Sequence, residues 1–241
     1  MILLPQLARA VAPLTTDDAD PVDYRQLQLN SGWQFNRAGS TDLNTYYFNL
    51  VIGITHREEM GVVFGYQWQD GGMDANGITD LTAETKIRLL GDGNDKFRLT
   101  ARLDVKAPTA SPAVRLGTGK PDADIFLIAT YSRGKTSVDS DVGYIKADAT
   151  HAVFNADRWF VGQTIRQQLN DTWTLVGEAY ATIPNSDAGV PANLNFDGGV
   201  QYSVKQNIVL SLLAGSAVGR DSSEVTANFC LTWNFGPFGR R

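Results

Sequence analysis

Val225–Phe235 reads VTANFCLTWNF. Val225, Ala227, Phe229, Leu231, Trp233 and Phe235 are apolar, and the residues between them, Thr226, Asn228, Cys230, Thr232 and Asn234, are small or polar. An unbroken period of two makes a strand with one apolar face and one wet face. Eleven residues at about 3.3 Å each, tilted by roughly 40°, cross the apolar layer of an outer membrane. Strands of soluble sandwiches run to about five or six residues. Trp233 and Phe235 fall where an interfacial aromatic girdle would lie. The stretch predicts the closing strand of a transmembrane β-barrel, with Phe229, Leu231, Trp233 and Phe235 on its outer face.

Working outward, the same alternation recurs through the chain. The segments near Arg25 to Arg37, Asn44 to Thr55 and Val62 to Gln69 predict the first three strands, and Leu81 to Leu89 the fourth. The most regular is Lys96 to Ala107, where Phe97, Leu99, Ala101, Leu103 and Val105 oppose Lys96, Arg98, Thr100, Arg102, Asp104 and Lys106. Further strands follow at Ile125 to Tyr131, Ser137 to Lys146, Arg158 to Gln168 (the least regular), Trp173 to Ile183, Leu194 to Ser203 and Ile208 to Ala217. With the last, that is twelve. Short connections (56–59, 91–95, 133–136, 169–171, 205–207) alternate with longer ones (38–43, 70–78, 108–122, 147–157, 184–193, 218–224). Short periplasmic turns, longer outer loops and an even strand count mark an all-β, closed, antiparallel up-and-down barrel with both termini in the periplasm of a Gram-negative cell. A soluble β-sandwich is the alternative fold, since it shares the period of two.

Bulk composition narrows the field by exclusion. No apolar run approaches the 18 or so residues of a spanning helix. The net charge is −5, with no basic stripe, which argues against a nucleic-acid partner. One cysteine, Cys230, excludes an intrachain disulfide and a cysteine zinc cluster. The two histidines, His56 in a short turn and His151 in a loop, have no serine at near spacing and predict neither a hydrolase triad nor a metal pair. Gly71-Gly72 and Gly91-x-Gly93 are turn glycines without a strand-to-helix context for phosphate. The chain therefore predicts no enzyme, cofactor or metal.

The organisation expected is an N-terminal signal remnant or periplasmic extension over 1–22, a barrel over 23–235 and a tail over 236–241. MILLPQLARAVA is apolar and ends in Ala-Val-Ala, like the tail of a secretory signal with cleavage after Ala12. The acidic run Asp17-Asp18-Ala19-Asp20 reads as a solvated periplasmic arm or a plug, with calcium binding the lesser alternative.

Four stretches carry a family resemblance: Pro13-Leu14-Thr15-Thr16-Asp17-Asp18-Ala19-Asp20, Leu103-Asp104-Val105-Lys106-Ala107-Pro108-Thr109, Leu175-Val176-Gly177-Glu178-Ala179-Tyr180 and Leu231-Thr232-Trp233-Asn234-Phe235. With these the chain resembles the outer-membrane β-barrel transporters associated with a phenol meta-cleavage degradation pathway. The resemblance implies passage of hydrophobic or aromatic compounds across the outer membrane. Strands of this kind usually stop at the terminal aromatic, whereas here the chain runs on from Gly236 to Arg241, so Phe235 or Phe238 would serve the barrel insertion machinery.

Concentrated polar side chains point to the lumen. Lys86, Arg88, Lys96, Arg98, Arg102 and Lys106 predict a basic wall, and Asp124, Asp139, Asp141, Glu178 and Asp197 an acidic wall opposite. Either the two walls set a transverse field in a constriction, or they interlock as ion pairs and leave no channel. The 108–122 loop, with Arg115, Lys120 and Asp122, is expected to gate the mouth or to contact the polysaccharide coat. The function expected is passive passage of small organic solutes, aromatic or hydrophobic ones among them. The rival is a closed structural or adhesive barrel that binds through its outer loops.

Overall fold

The computed structural model describes residues 13–71, 75–110, 119–146, 157–185, 192–218 and 224–237. Its elements are all strands: β1 (Leu27–Ala38), β2 (Thr41–Gly53), β3 (Glu58–Asp70), β4 (Ala75–Ile78), β5 (Leu81–Leu90), β6 (Phe97–Ala107), β7 (Asp122–Arg133), β8 (Thr136–Lys146), β9 (Arg158–Gln168), β10 (Trp173–Pro184), β11 (Asn193–Lys205), β12 (Ile208–Val218) and β13 (Glu224–Phe235). Each neighbouring pair is antiparallel, and β13 pairs with β1 from Leu27↔Phe235 to Arg37↔Val225. With β1 on β2 and β2 on β3, the ring is closed. Twelve strand positions make that ring, and β4 is an extra strand that lies end to end with β5 along the same edge of β3. Closure removes the sheet edges, whose backbone groups would otherwise go unpaired in hydrocarbon.

The period of two sorts the side chains between two environments. On β7, Ile125 is 59% exposed while Phe126 and Ile128 beside it are 7% and 0% exposed. On β13, Phe229 and Trp233 face outward and Cys230 and Thr232 are buried inside. The outer face is thus a continuous apolar band, which is stable against hydrocarbon rather than water. Two aromatic belts border it. Phe97, Tyr131, Trp173, Tyr202 and Trp233 stand exposed near the short turns, and Tyr46, Tyr66, Trp159 and Phe196 toward the other rim.

Three boundaries differ from the sequence reading. The 38–43 connection is a two-residue turn, Gly39 and Ser40, because β1 and β2 stay in register to Ala38↔Thr41. Gly39 takes φ 59°, which a tight hairpin requires, and Arg37 clamps Asp42 with two 2.6 Å bonds. The 70–78 loop is partly a strand. The pairing of β3 with β5 ends at Val63↔Thr82, so β4 folds back on β3 from Tyr66↔Ile78 to Gln69↔Ala75 and covers its free edge. The first strand starts at Leu27 rather than Arg25, because Arg25 adopts φ 61° and turns the chain out of the residues before it.

Candidate functional site

The inward faces of β5 to β10 place a charged wall around the middle of the lumen, and residues 15–22 thread it. Along β5, Lys86 and Arg88 lie two apart and both point in; along β6, Arg98, Thr100 and Arg102 do the same. Each reaches the N-terminal arm. Asp17 accepts from Lys86 Nζ at 2.9 Å and pairs with Arg102 at 3.0 Å. Asp18 pairs with Arg166 of β9 at 3.2 Å. Asp20 pairs with Arg88 at 3.0 Å and Arg98 at 2.9 Å.

Backbone groups of the arm are served as fully as its carboxylates. Glu178 of β10 accepts the Thr15 amide at 3.2 Å, the Thr16 amide at 2.5 Å and the Thr16 hydroxyl at 2.7 Å. Thr16 and Thr164 hydroxyls also bond to each other. The Asp17 amide donates to Asp141 at 2.8 Å, and the Val22 amide to Glu59. Ala19 donates to Thr130 at 2.8 Å and accepts from Thr100 at 2.6 Å. Ala19 also belongs to an apolar cluster with Phe126, Ile128 and Phe160 inside the barrel. Thr16, Asp18 and Ala19 are fully buried. Burial works to raise the pKa of Asp17, but the Lys86 and Arg102 charges outweigh it and hold the carboxyl below its ordinary range.

Residues expected as a solvated periplasmic extension therefore sit within the lumen, and of the two readings of the acidic run the contacts are those of a plug. A segment whose every aspartate has a guanidinium or ammonium partner has its carboxylates committed. Among the described residues no group of three or more His, Cys, Asp or Glu is arranged to hold a metal.

Among the described residues no ion pair joins Lys86, Arg88, Arg98 or Arg102 to the expected acidic wall. Lys86, Arg88, Arg98 and Arg102 lie on adjacent strands and are met by the arm and by near neighbours: Lys86 by Glu59 at 3.4 Å, Arg102 by Asp104 at 3.2 Å. Lys106 sits higher, between Asp80 at 3.5 Å and Asp122. Lys96 is a correction. It lies in the turn before β6 and is exposed, because β6 starts one residue later and Lys96 gives its carbonyl to the Ser132 amide instead. Glu178 and Asp197 are register partners on β10 and β11, across the ring from β5. Neither makes an ion pair among the described residues; Asp197 accepts from the Thr226 hydroxyl at 2.6 Å.

Arg166 and the lumenal aromatics Phe126 and Phe160 were not legible as site residues. On β9, Gln163 points out and Phe160 points in, so the strand breaks the polar-in rule twice. Arg102 lies 4.2 Å over the Phe126 ring. His56 is exposed in its turn with its ring 5.2 Å from Tyr24, while His151 and Arg115 lie outside the described residues.

A cavity of about 400 Å³ remains beside the arm, between it and the inner faces of β1, β2, β3 and β5. Gly93, Gln206 and Asn207 of the short turns line its mouth.

A closed up-and-down barrel with an apolar exterior and a charged interior has the architecture of outer-membrane β-barrels. No protein-family model and no curated protein matches the sequence. Solved structures match over nearly the whole chain. The KdgM porin in complex with disordered oligogalacturonate superposes with a TM-score of 0.60 at 8% identity, over 86% of this chain and 99% of that one. The translocator domain of the autotransporter NalP from Neisseria meningitidis gives 0.55 at 13% identity, over 87% and 88%. The CymD monoaromatic hydrocarbon channel gives 0.53 at 8% identity, over 88% and 88%. At such identities the likeness is one of fold.

Proposed function

We propose that the protein is a channel of the bacterial outer membrane for small organic solutes, its lumen narrowed by its own N-terminal arm. The observation that carries this reading is the polar lumen beside the arm. A barrel serving only as a scaffold has no need of a solvent-reaching cavity next to a plug held by polar bonds. Barrel lipid and the insertion machinery are its partners, and both ends of the ring, Leu27 and Phe235, share the rim of short turns, which is assigned to the periplasm. The likeness in fold to porins and to a hydrocarbon channel supports passage in general. For an aromatic solute the support is the four-motif resemblance.

The second reading is a closed barrel, favoured by the buried ion pairs of Asp17, Asp18 and Asp20. Planar-bilayer recording separates the two. The refolded chain is expected to pass small discrete currents, and an Asp17→Asn/Asp18→Asn/Asp20→Asn variant larger ones. Silence from both, with folding verified by heat-modifiable gel mobility, leaves the closed barrel.

A further inference from the structure

We infer that the cavity beside the arm is a binding site for a small hydroxyl-bearing cation, a solute carrying a primary ammonium group. Six carboxylates and three cations line the cavity, and two arginines outside the lining, Arg166 and Arg98, hold Asp18 and Asp20. The cations are all engaged: Lys86 and Arg102 with Asp17, Arg88 with Asp20. Of the lining carboxylates carried by the barrel strands, Glu84 makes no ion pair among the described residues; the Arg102 charge acts on it from beyond ion-pair distance, and its side-chain hydrogen bond comes from the Asn49 amide. Asn49 Oδ1, buried in the same corner, accepts no hydrogen bond. A carboxylate with no direct ion pair beside an unused amide oxygen is the complement of an ammonium donor.

The opposite side of the cavity fixes the rest of the ligand. Gln26, Gln28 and Asn30 follow one another at every second position of the chain leading into and along β1, so their amides form a row on one face. Asn30 lies in register with Asn49 across the β1–β2 pair; its Oδ1 accepts from the Thr232 hydroxyl at 2.7 Å and the Gln28 amide at 3.4 Å, which leaves its amide donors toward the Glu84 corner. Amides offer both donors and acceptors, which suits hydroxyls of mixed polarity and gives no advantage to an apolar ring. A volume of about 400 Å³ lies within the range of small-molecule sites. Because Gly93, Gln206 and Asn207 line the mouth, entry is from the rim of short turns.

As a statement about cargo this rests on the channel reading; as a statement about binding it does not. The test uses three sugars on one pyranose frame: glucose, glucosamine with an ammonium in place of the C2 hydroxyl, and glucuronate with a carboxylate in place of the C6 hydroxymethyl. Binding to the refolded full chain in uncharged detergent micelles is followed by saturation-transfer NMR, at low salt and slightly below neutral pH. Glucosamine is expected to bind more tightly than glucose, and glucuronate least. Glu84→Gln is expected to weaken glucosamine about tenfold, the scale of one lost charge-assisted hydrogen bond, and to leave glucose unchanged. Gln28→Leu is expected to weaken all three sugars alike, with heat-modifiable gel mobility as the check on folding. Equal binding of the three, a preference for glucuronate, no binding at all, or a folded Glu84→Gln that keeps the amine preference would each overturn the site. Binding without bilayer current retains the site and removes the channel; current without binding does the reverse.

Discussion

Asp17 holds two cations at once, Lys86 and Arg102, and its own amide is held by Asp141. Its folded pKa lies below the ordinary carboxylate value, so its share of arm docking is fully present above that ordinary value, about 3.9, and is lost as pH falls through the depressed one. The part of the arm's protection from protease that Asp17→Asn removes is therefore expected to persist from neutral pH down to about pH 5 and to be lost only in strong acid. Loss of that Asp17-dependent part between neutral pH and pH ~5 would contradict the assignment. Lys86 is the matching cation, buried between Asp17 and Glu59. Lys86→Met leaves both carboxylates short of a partner and is expected to cost about 3–5 kcal/mol in urea unfolding from lipid or detergent. At this scale the residues Lys86, Arg88, Arg98 and Arg102 were legible, because a strict period of two sends every second side chain inward. Their partners were not, since nothing in the strand pattern says that a segment some seventy residues earlier lies between the walls.

Among the elements, β13 behaves as its alternation dictates. Leu231 faces outward at mid-strand in register with Ser31 of β1 and Leu210 of β12. Leu231→Arg is expected to destabilise the inserted barrel by roughly 2–4 kcal/mol, whereas the same change near the aromatic belts costs less. Equal costs along the strand would argue against a membrane-spanning face. The strands of the ring were legible one by one; β4 and the Gly39–Ser40 turn were not. Both are consequences of pairing: β4 exists because β3 outlasts the edge of β5, and the turn is tight because β1 and β2 keep register to their ends. Register is a property of two strands together. β9 resisted for a different reason, since Gln163 outward and Phe160 inward both cross the apolar-out rule, and burial against Phe126 and Ala19 stabilises the latter.

For the molecule as a whole, the arm and the ring act as two parts joined at Arg25. A covalent lock tests whether the arm governs the lumen. In a Cys230→Ser background, Ala19→Cys/Thr130→Cys places two thiols where the Ala19 amide now meets the Thr130 hydroxyl at 2.8 Å. The oxidised protein is expected to carry less current than the reduced one, and reduction to restore it. Identical currents in both states would show that the arm does not control passage.

By itself the sequence determined the closed all-β barrel, its strand faces and its apolar exterior. Those follow from local alternation and from the need to pair every backbone group in a layer without water. Only the tertiary structure decided what fills the lumen. The two charged walls of the barrel do not reach each other across the lumen, so the acidic arm, an element with no periodicity of its own, supplies the counter-charges. That placement depends on burial and distance between residues remote in the chain, and neither is written in the order of the residues.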